Sequence, residues 1–142
     1  MNQKKTKIFL YSIFLITVIP TIYVFIEHGY VEQKAYSEAK TDIKKTKTFG
    51  EALLFYGIAT GYIIMVPFII FAPKYTIPYL VIIVGTVAVV ILYYLRIYGI
   101  PIPFTDGIVI TDLSSDWRDV VTKICQQILV IPVTALMILR NR

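Results

Sequence analysis

The chain has 142 residues, enough for one compact domain and too few for two domains of ordinary size. Hydrophobic residues make up 57% of it and charged residues only 16%, so a water-soluble domain this small would be left with too much apolar surface. The net charge of +5 comes from residues that flank apolar stretches and form no basic stripe, which argues against nucleic acid as a partner and for the lipid bilayer.

Four apolar stretches are long enough to cross the hydrocarbon core, which takes about 20 helical residues. They are residues 8–26, 52–72, 77–95 and 120–139. Hydrocarbon cannot satisfy a bare backbone, so each stretch should be a helix. We therefore predict an all-α membrane protein whose residues 1–142 form a single domain of four transmembrane helices. Lys123 falls near the start of the fourth span, where we expect its ammonium to snorkel to water.

Two longer connections, residues 27–51 and 98–119, join the spans at one end. The first contains five acids and five lysines, and its helix-forming part, residues 32–47, either extends the second span or forms a mobile loop. In the second, Asp106 and Gly107 indicate a turn, residues 108–111 suit a short strand, and residues 114–116 offer an N-cap.

The charge distribution predicts the orientation of the chain. If the amino terminus is cytoplasmic, the inner side carries basic residues and no acid, and all nine acids fall in the two longer loops. Basic residues alone do not decide the matter, since the outer side holds seven, with Arg96 just before the second loop included, and the inner side six. We expect both termini in the cytoplasm and both longer loops outside, because the first span often dominates.

Small residues in the second and third spans indicate helix packing. Gly57 and Gly61 form a GxxxG pattern, which places both glycines on one helix face and permits close approach of another helix. Gly85 lies in a second small-residue patch. We expect these glycines to bring the second and third spans together or to receive a partner subunit.

The fourth span contains two amides and a proline. Gln126 and Gln127 lie within an apolar helix, where an amide without a partner is costly, so hydrogen bonds to other helices are expected. A polar point on a substrate path is the alternative. Pro132 removes one amide donor and should kink the helix.

The sequence offers too few ligands for a metal centre. It has one histidine, His28, and one cysteine, Cys125, whereas copper and zinc sites normally use two or more such ligands. No acid lies within a span, and no nucleophile, base and acid fall in one accessible region. We predict no catalytic, cofactor-binding or metal-binding residue in this chain.

The second long loop offers side chains that suit the docking of a partner's extramembrane part. They are Asp112, Asp116, Trp117 and Arg118. The same residues also suit a capped helix start with tryptophan at the membrane boundary, and the sequence does not separate the two interpretations.

This loop also carries a family resemblance. The stretch PIPFTDGIVITDLSSDWRD, from Pro101 to Asp119, together with four spans and a lysine-led start, resembles the small accessory membrane subunits of archaeal ammonia monooxygenase. That enzyme belongs to the copper membrane monooxygenases. The resemblance implies a helical subunit without catalytic residues, in a complex whose copper is bound by other chains. It supplies no motif that transfers residue by residue.

The sequence therefore favours a non-catalytic accessory subunit of a multi-subunit membrane complex. A small homo-oligomeric channel or carrier is the alternative. A membrane-embedded enzyme would require a reactive constellation that the sequence does not contain.

Overall fold

A computed structural model of the chain describes residues 3–95, 98–101, 107, 109–110 and 117–140. Along these residues the elements are α1 (Gln3–Glu38), α2 (Asp42–Phe71), α3 (Ile77–Leu95), β1 (Ile100–Pro101), β2 (Val109–Ile110) and α4 (Trp117–Leu139). Each of the four helices described is long and apolar enough to cross a membrane. The predicted all-α class with four membrane-spanning helices is confirmed.

The helices form an antiparallel ring. α1 packs against α2 and α4, and α3 completes the ring by packing against the same two helices. The core contains Phe14 and Val18 of α1, Ile69 of α2, and Leu129 and Val133 of α4, all fully buried. Most large apolar side chains lie instead on the outside of the ring, where a bilayer takes the place of a protein core.

The chain between the first two spans is a helical hairpin (residues 27–51) rather than a loop. α1 continues to Glu38, twelve residues past the first span, which at 1.5 Å per residue is about 18 Å. Thr41 then adopts an extended conformation and its hydroxyl accepts a hydrogen bond from the Lys44 amide at 3.3 Å, which starts α2 at Asp42. The predicted helix over residues 32–47 is therefore divided between α1 and α2, and the mobile-loop alternative is wrong.

A glycine that the sequence analysis did not select brings α1 and α2 together. A β-carbon at Gly29 would lie 2.8 Å from ring carbons of Tyr56. The Tyr56 hydroxyl donates a hydrogen bond to Gln33 Oε1 at 2.8 Å, one turn along α1. At Gly57 and Gly61, by contrast, a β-carbon would meet nothing within 4 Å. The close approach of helices therefore occurs at Gly29 and not at the GxxxG pattern.

We call the end of the bundle that carries the helical hairpin the hairpin end; the start of α1 and the end of α4 lie at the opposite end. A two-stranded antiparallel ribbon also lies at the hairpin end, with Ile100 opposite Ile110 and Pro101 opposite Val109. Gly107, between the strands, has φ of 76°, a left-handed conformation that glycine adopts without strain. This agrees with the predicted turn and strand.

The two kinds of glycine give a matched pair of substitutions. Gly29→Ala should lower the free energy of unfolding by about 1–3 kcal/mol, because the new methyl group must displace the Tyr56 ring. Gly57→Ala should leave stability unchanged or raise it by up to about 1 kcal/mol, because alanine favours the helix and has room there. Unfolding of both variants in detergent micelles, followed by circular dichroism, checks this; equal stabilities would contradict the assignment of Gly29.

Candidate functional site

Lys123 is the centre of a polar cluster inside the bundle. Its side chain is only 9% exposed, and its Nζ lies 5.1 Å from the ring centre of Phe25 and 4.8 Å from that of Tyr93. The expectation that Lys123 snorkels to water is wrong. α4 already begins at Trp117, so Lys123 lies almost two turns into the helix, and the two rings provide a favourable site for the ammonium within the bundle. An ionisable side chain buried within a membrane span is a functional-site candidate by default.

A chain of hydrogen bonds runs from Lys123 to α2 and α3. Lys123 Nζ donates to Gln126 Oε1 at 3.0 Å, Gln126 Nε2 donates to the Tyr62 hydroxyl at 3.4 Å, and the oxygens of Tyr62 and Thr86 are 2.7 Å apart. Because Tyr62 accepts from the amide, its own proton is free to point to Thr86. The amide orientation of Gln126 is thus fixed by its two neighbours.

Both amides of α4 bond to other helices, as the sequence analysis expected. Gln126 is fully buried and reaches α2, while Gln127 is exposed and its Nε2 donates to the Tyr94 hydroxyl of α3 at 3.3 Å. Pro132 is fully buried against the core, and α4 continues through it to Leu139. The amides therefore help to hold α4 in the ring.

Two ion pairs join α1 to α4 at the edge of the membrane. His28 Nε2 lies 2.9 Å from Asp119 Oδ1, and Arg118 contacts Glu27. The contact with Asp119 raises the pKa of His28 above its ordinary value, and the negative charges of Glu27 and Glu32 act in the same direction. Partial burial of the imidazole opposes the shift without cancelling it. This pairing was missed because its members are 91 residues apart in sequence.

A small cavity lies between the pair of His28 and Asp119 and the side chain of Lys123. It has a volume of about 100 Å³, and its charged lining residues are His28, Glu32, Asp119 and Lys123. The rest of the lining is mostly apolar, and a cavity of this size beside charged side chains has room for several water molecules. The sequence did contain a signal for it, because His28 and Glu32, and likewise Asp119 and Lys123, are four residues apart and thus lie on one face of their helices.

The glycines of the second and third spans line an open cleft. Gly57 and Gly61 of α2 and Gly85 of α3 border a largely apolar space of about 310 Å³, and no β-carbon at these positions would touch another residue. The expectation that these glycines bring α2 and α3 into contact within one chain is therefore wrong. The hydrogen bond between Tyr62 and Thr86 joins the two helices there instead.

Of the four loop residues expected to dock a partner, two can be placed. Trp117 is exposed, and the Arg118 guanidinium lies 5.8 Å from the centre of its ring. Arg118 also pairs with Glu27, so it holds the start of α4 against α1. Asp112 and Asp116 lie outside the described residues.

No family model, curated protein or solved structure matches this chain. The resemblance to ammonia monooxygenase subunits therefore stays a prediction. Function has to be inferred from the arrangement of side chains, since an all-helical fold alone does not imply one.

The two amides of α4 give the first prediction from this site. Gln126→Leu should lower the free energy of unfolding by about 1–2 kcal/mol, because Lys123 and Tyr62 both lose a partner in a water-poor environment. Gln127→Leu, at an exposed position, should change it by less than about 0.5 kcal/mol. Unfolding in detergent micelles measures the stability of both variants. Similar losses of stability would show that the buried hydrogen bonds of Gln126 contribute no more than the exposed one of Gln127.

The second prediction concerns pH. Because folding raises the pKa of His28, its pairing with Asp119 stabilises the protein fully below the ordinary pKa of about 6.5 and is lost as pH rises through the raised value. Between pH 5.5 and 8.5 the wild type should lose on the order of 0.5–1 kcal/mol more than His28→Gln. Thermal unfolding at both pH values tests this. A variant with the same pH dependence as the wild type would exclude His28 as the titrating group.

Proposed function

We propose that this chain is a non-catalytic accessory subunit of a multi-subunit membrane complex. The observation that carries the proposal is the apolar surface on the helical hairpin, beyond the predicted spans. Tyr36, Ile43 and Phe49 are 43%, 70% and 56% exposed there, and Tyr30 and Val31 are exposed as well. Exposed apolar patches on a part of a protein that leaves the bilayer typically mark contact with another protein.

Phe49 and Tyr30 lie within about 6 Å of the predicted spans, at the depth of the lipid headgroups, but neither the bilayer nor the hairpin itself can cover Tyr36 and Ile43. Tyr36 lies ten residues past the first span, about 15 Å along the helix. Two helices alone cannot enclose an apolar core, and the ring pair of Tyr36 and Phe49, with centres 5.9 Å apart, leaves both rings partly exposed. A partner chain that packs on the hairpin would remove this surface from water.

The resemblance noted in the sequence suggests which complex this is. We infer an archaeal ammonia monooxygenase as the candidate, with copper bound by the partner subunits. The donors available here do not suit copper, since the chain has a single histidine and a single cysteine. Among the described residues, no three His, Cys, Asp or Glu side chains gather in a group that could hold a metal ion.

A specific observation also supports the second candidate, a homo-oligomeric channel or carrier. The charged cavity beside Lys123 and the hydrogen-bond chain that follows it are features of a polar path. The described hydrogen bonds of this chain end at Thr86, however, and the fully buried Phe14, Val18 and Val133 do not continue it; the buried Thr17 and Thr21 bond to carbonyls of their own helix. This favours the accessory subunit over a path through a single copy.

A charge placed on the hairpin tests the proposal. Phe49→Glu should abolish recovery of the partner subunits, because a carboxylate cannot be buried in an apolar contact without a large cost. The matched control is Tyr75→Glu, because Tyr75 is an exposed aromatic residue at the opposite end of the bundle. It should leave recovery of the partner subunits unchanged. Native mass spectrometry after purification in a mild detergent reads out both. Wild-type particles that contain only this chain would refute the accessory subunit and support the second candidate.

A further inference from the structure

The exposed face of the helical hairpin forms one continuous groove. A hollow of about 290 Å³ near the membrane includes Leu53, and a hollow of about 420 Å³ nearer the tip is lined by Asp42, Lys45 and Thr46. Tyr36 and Phe49 line both hollows and connect them. The groove is thus apolar at its base and charged towards its tip.

The dimensions of the groove suit a helix. From Asp42 to Leu53 it follows α2 for eleven residues, about 17 Å or three helical turns. An added strand would need unpaired backbone groups, and the backbones of α1 and α2 are bonded within their own helices here. A ligand on this surface must therefore bind through its side chains, as an amphipathic helix does when its apolar face fills a groove between two others.

The charge around the groove selects the partner. The outer part of the hairpin, residues 34–47, contains five lysines and two acids, a net charge of +3, while the other three acids of the hairpin lie at its base; Lys45 and Asp42 line the groove itself. A second copy of this chain would bring the same positive charge to the contact and be repelled. A helix with acidic flanks would be attracted and oriented, with its charged side chains towards the hairpin tip.

We propose that this hairpin groove binds an amphipathic α-helix with acidic flanks, contributed by a partner subunit. The inference rests on the proposed function and adds the chemistry of the partner. The partner helix places apolar side chains over Tyr36, Phe49 and Leu53, and its acidic residues face Lys45 and the neighbouring lysines.

Photo-crosslinking in membranes of the native host identifies what lies in the groove. A benzophenone amino acid replaces Phe49, and the same residue in place of Tyr75 is the control. An adduct with a partner segment that has apolar residues three and four apart and an excess of acids supports the inference. An adduct with a basic or non-helical partner segment overturns it and leaves the accessory subunit standing. Adducts with lipid or a second copy alone, or no more adduct than at Tyr75, overturn both.

A binding measurement tests the charge selection separately. Two labelled synthetic helices share one apolar stripe and carry either Glu or Lys on their flanks, and fluorescence anisotropy measures their binding to the full chain in nanodiscs. The Glu peptide should bind at least about tenfold more tightly, an advantage that high salt reduces. Lys45→Glu should reduce the preference for the Glu peptide over the Lys peptide. Lys74→Glu, at the opposite end of the bundle, should leave this preference unchanged. Equal binding of the two peptides to the wild type would overturn the inference.

Discussion

The hydrocarbon of a bilayer offers no hydrogen bonds, and the polar interior of this bundle is arranged around that constraint. Lys123, Gln126, Tyr62 and Thr86 would each be costly inside a membrane if left alone. Joined in one chain, they supply one another's partners and tie three of the four helices together. Leu or Val at the same positions would fill space equally well but would not fix which faces of the helices meet.

The length and apolar character of the spans were sufficient to predict four helices, because those properties are local to each segment. Contacts between helices were not predictable in the same way. The GxxxG spacing of Gly57 and Gly61 is a local pattern, yet whether a helix approaches it depends on the tilt of its neighbours. Gly29 carries no motif and yet permits a close approach, because its importance comes from Tyr56 on another helix.

The buried position of Lys123 has a similar origin. Its place in the sequence, near the start of an apolar run, suits snorkelling. The rings that hold its ammonium come from Phe25 and Tyr93, on two other helices, and no rule of sequence spacing connects the three residues.

The helical hairpin, unlike the site of Lys123, follows from local sequence. Its helix formers were visible in the sequence, and the capping residue Thr41 fixes where α2 begins.

The length of α1, one continuous helix, sets the height of the hairpin above the membrane. Its 36 residues extend for about 54 Å, more than the full thickness of a bilayer with its headgroups, so the height of the hairpin above the membrane is fixed by residue number rather than by a flexible linker. One inserted residue between 27 and 38 would raise the tip by about 1.5 Å and turn it by about 100°. Over evolutionary time the hairpin should therefore change length in both helices together and by whole turns, a constraint that ordinary surface loops escape.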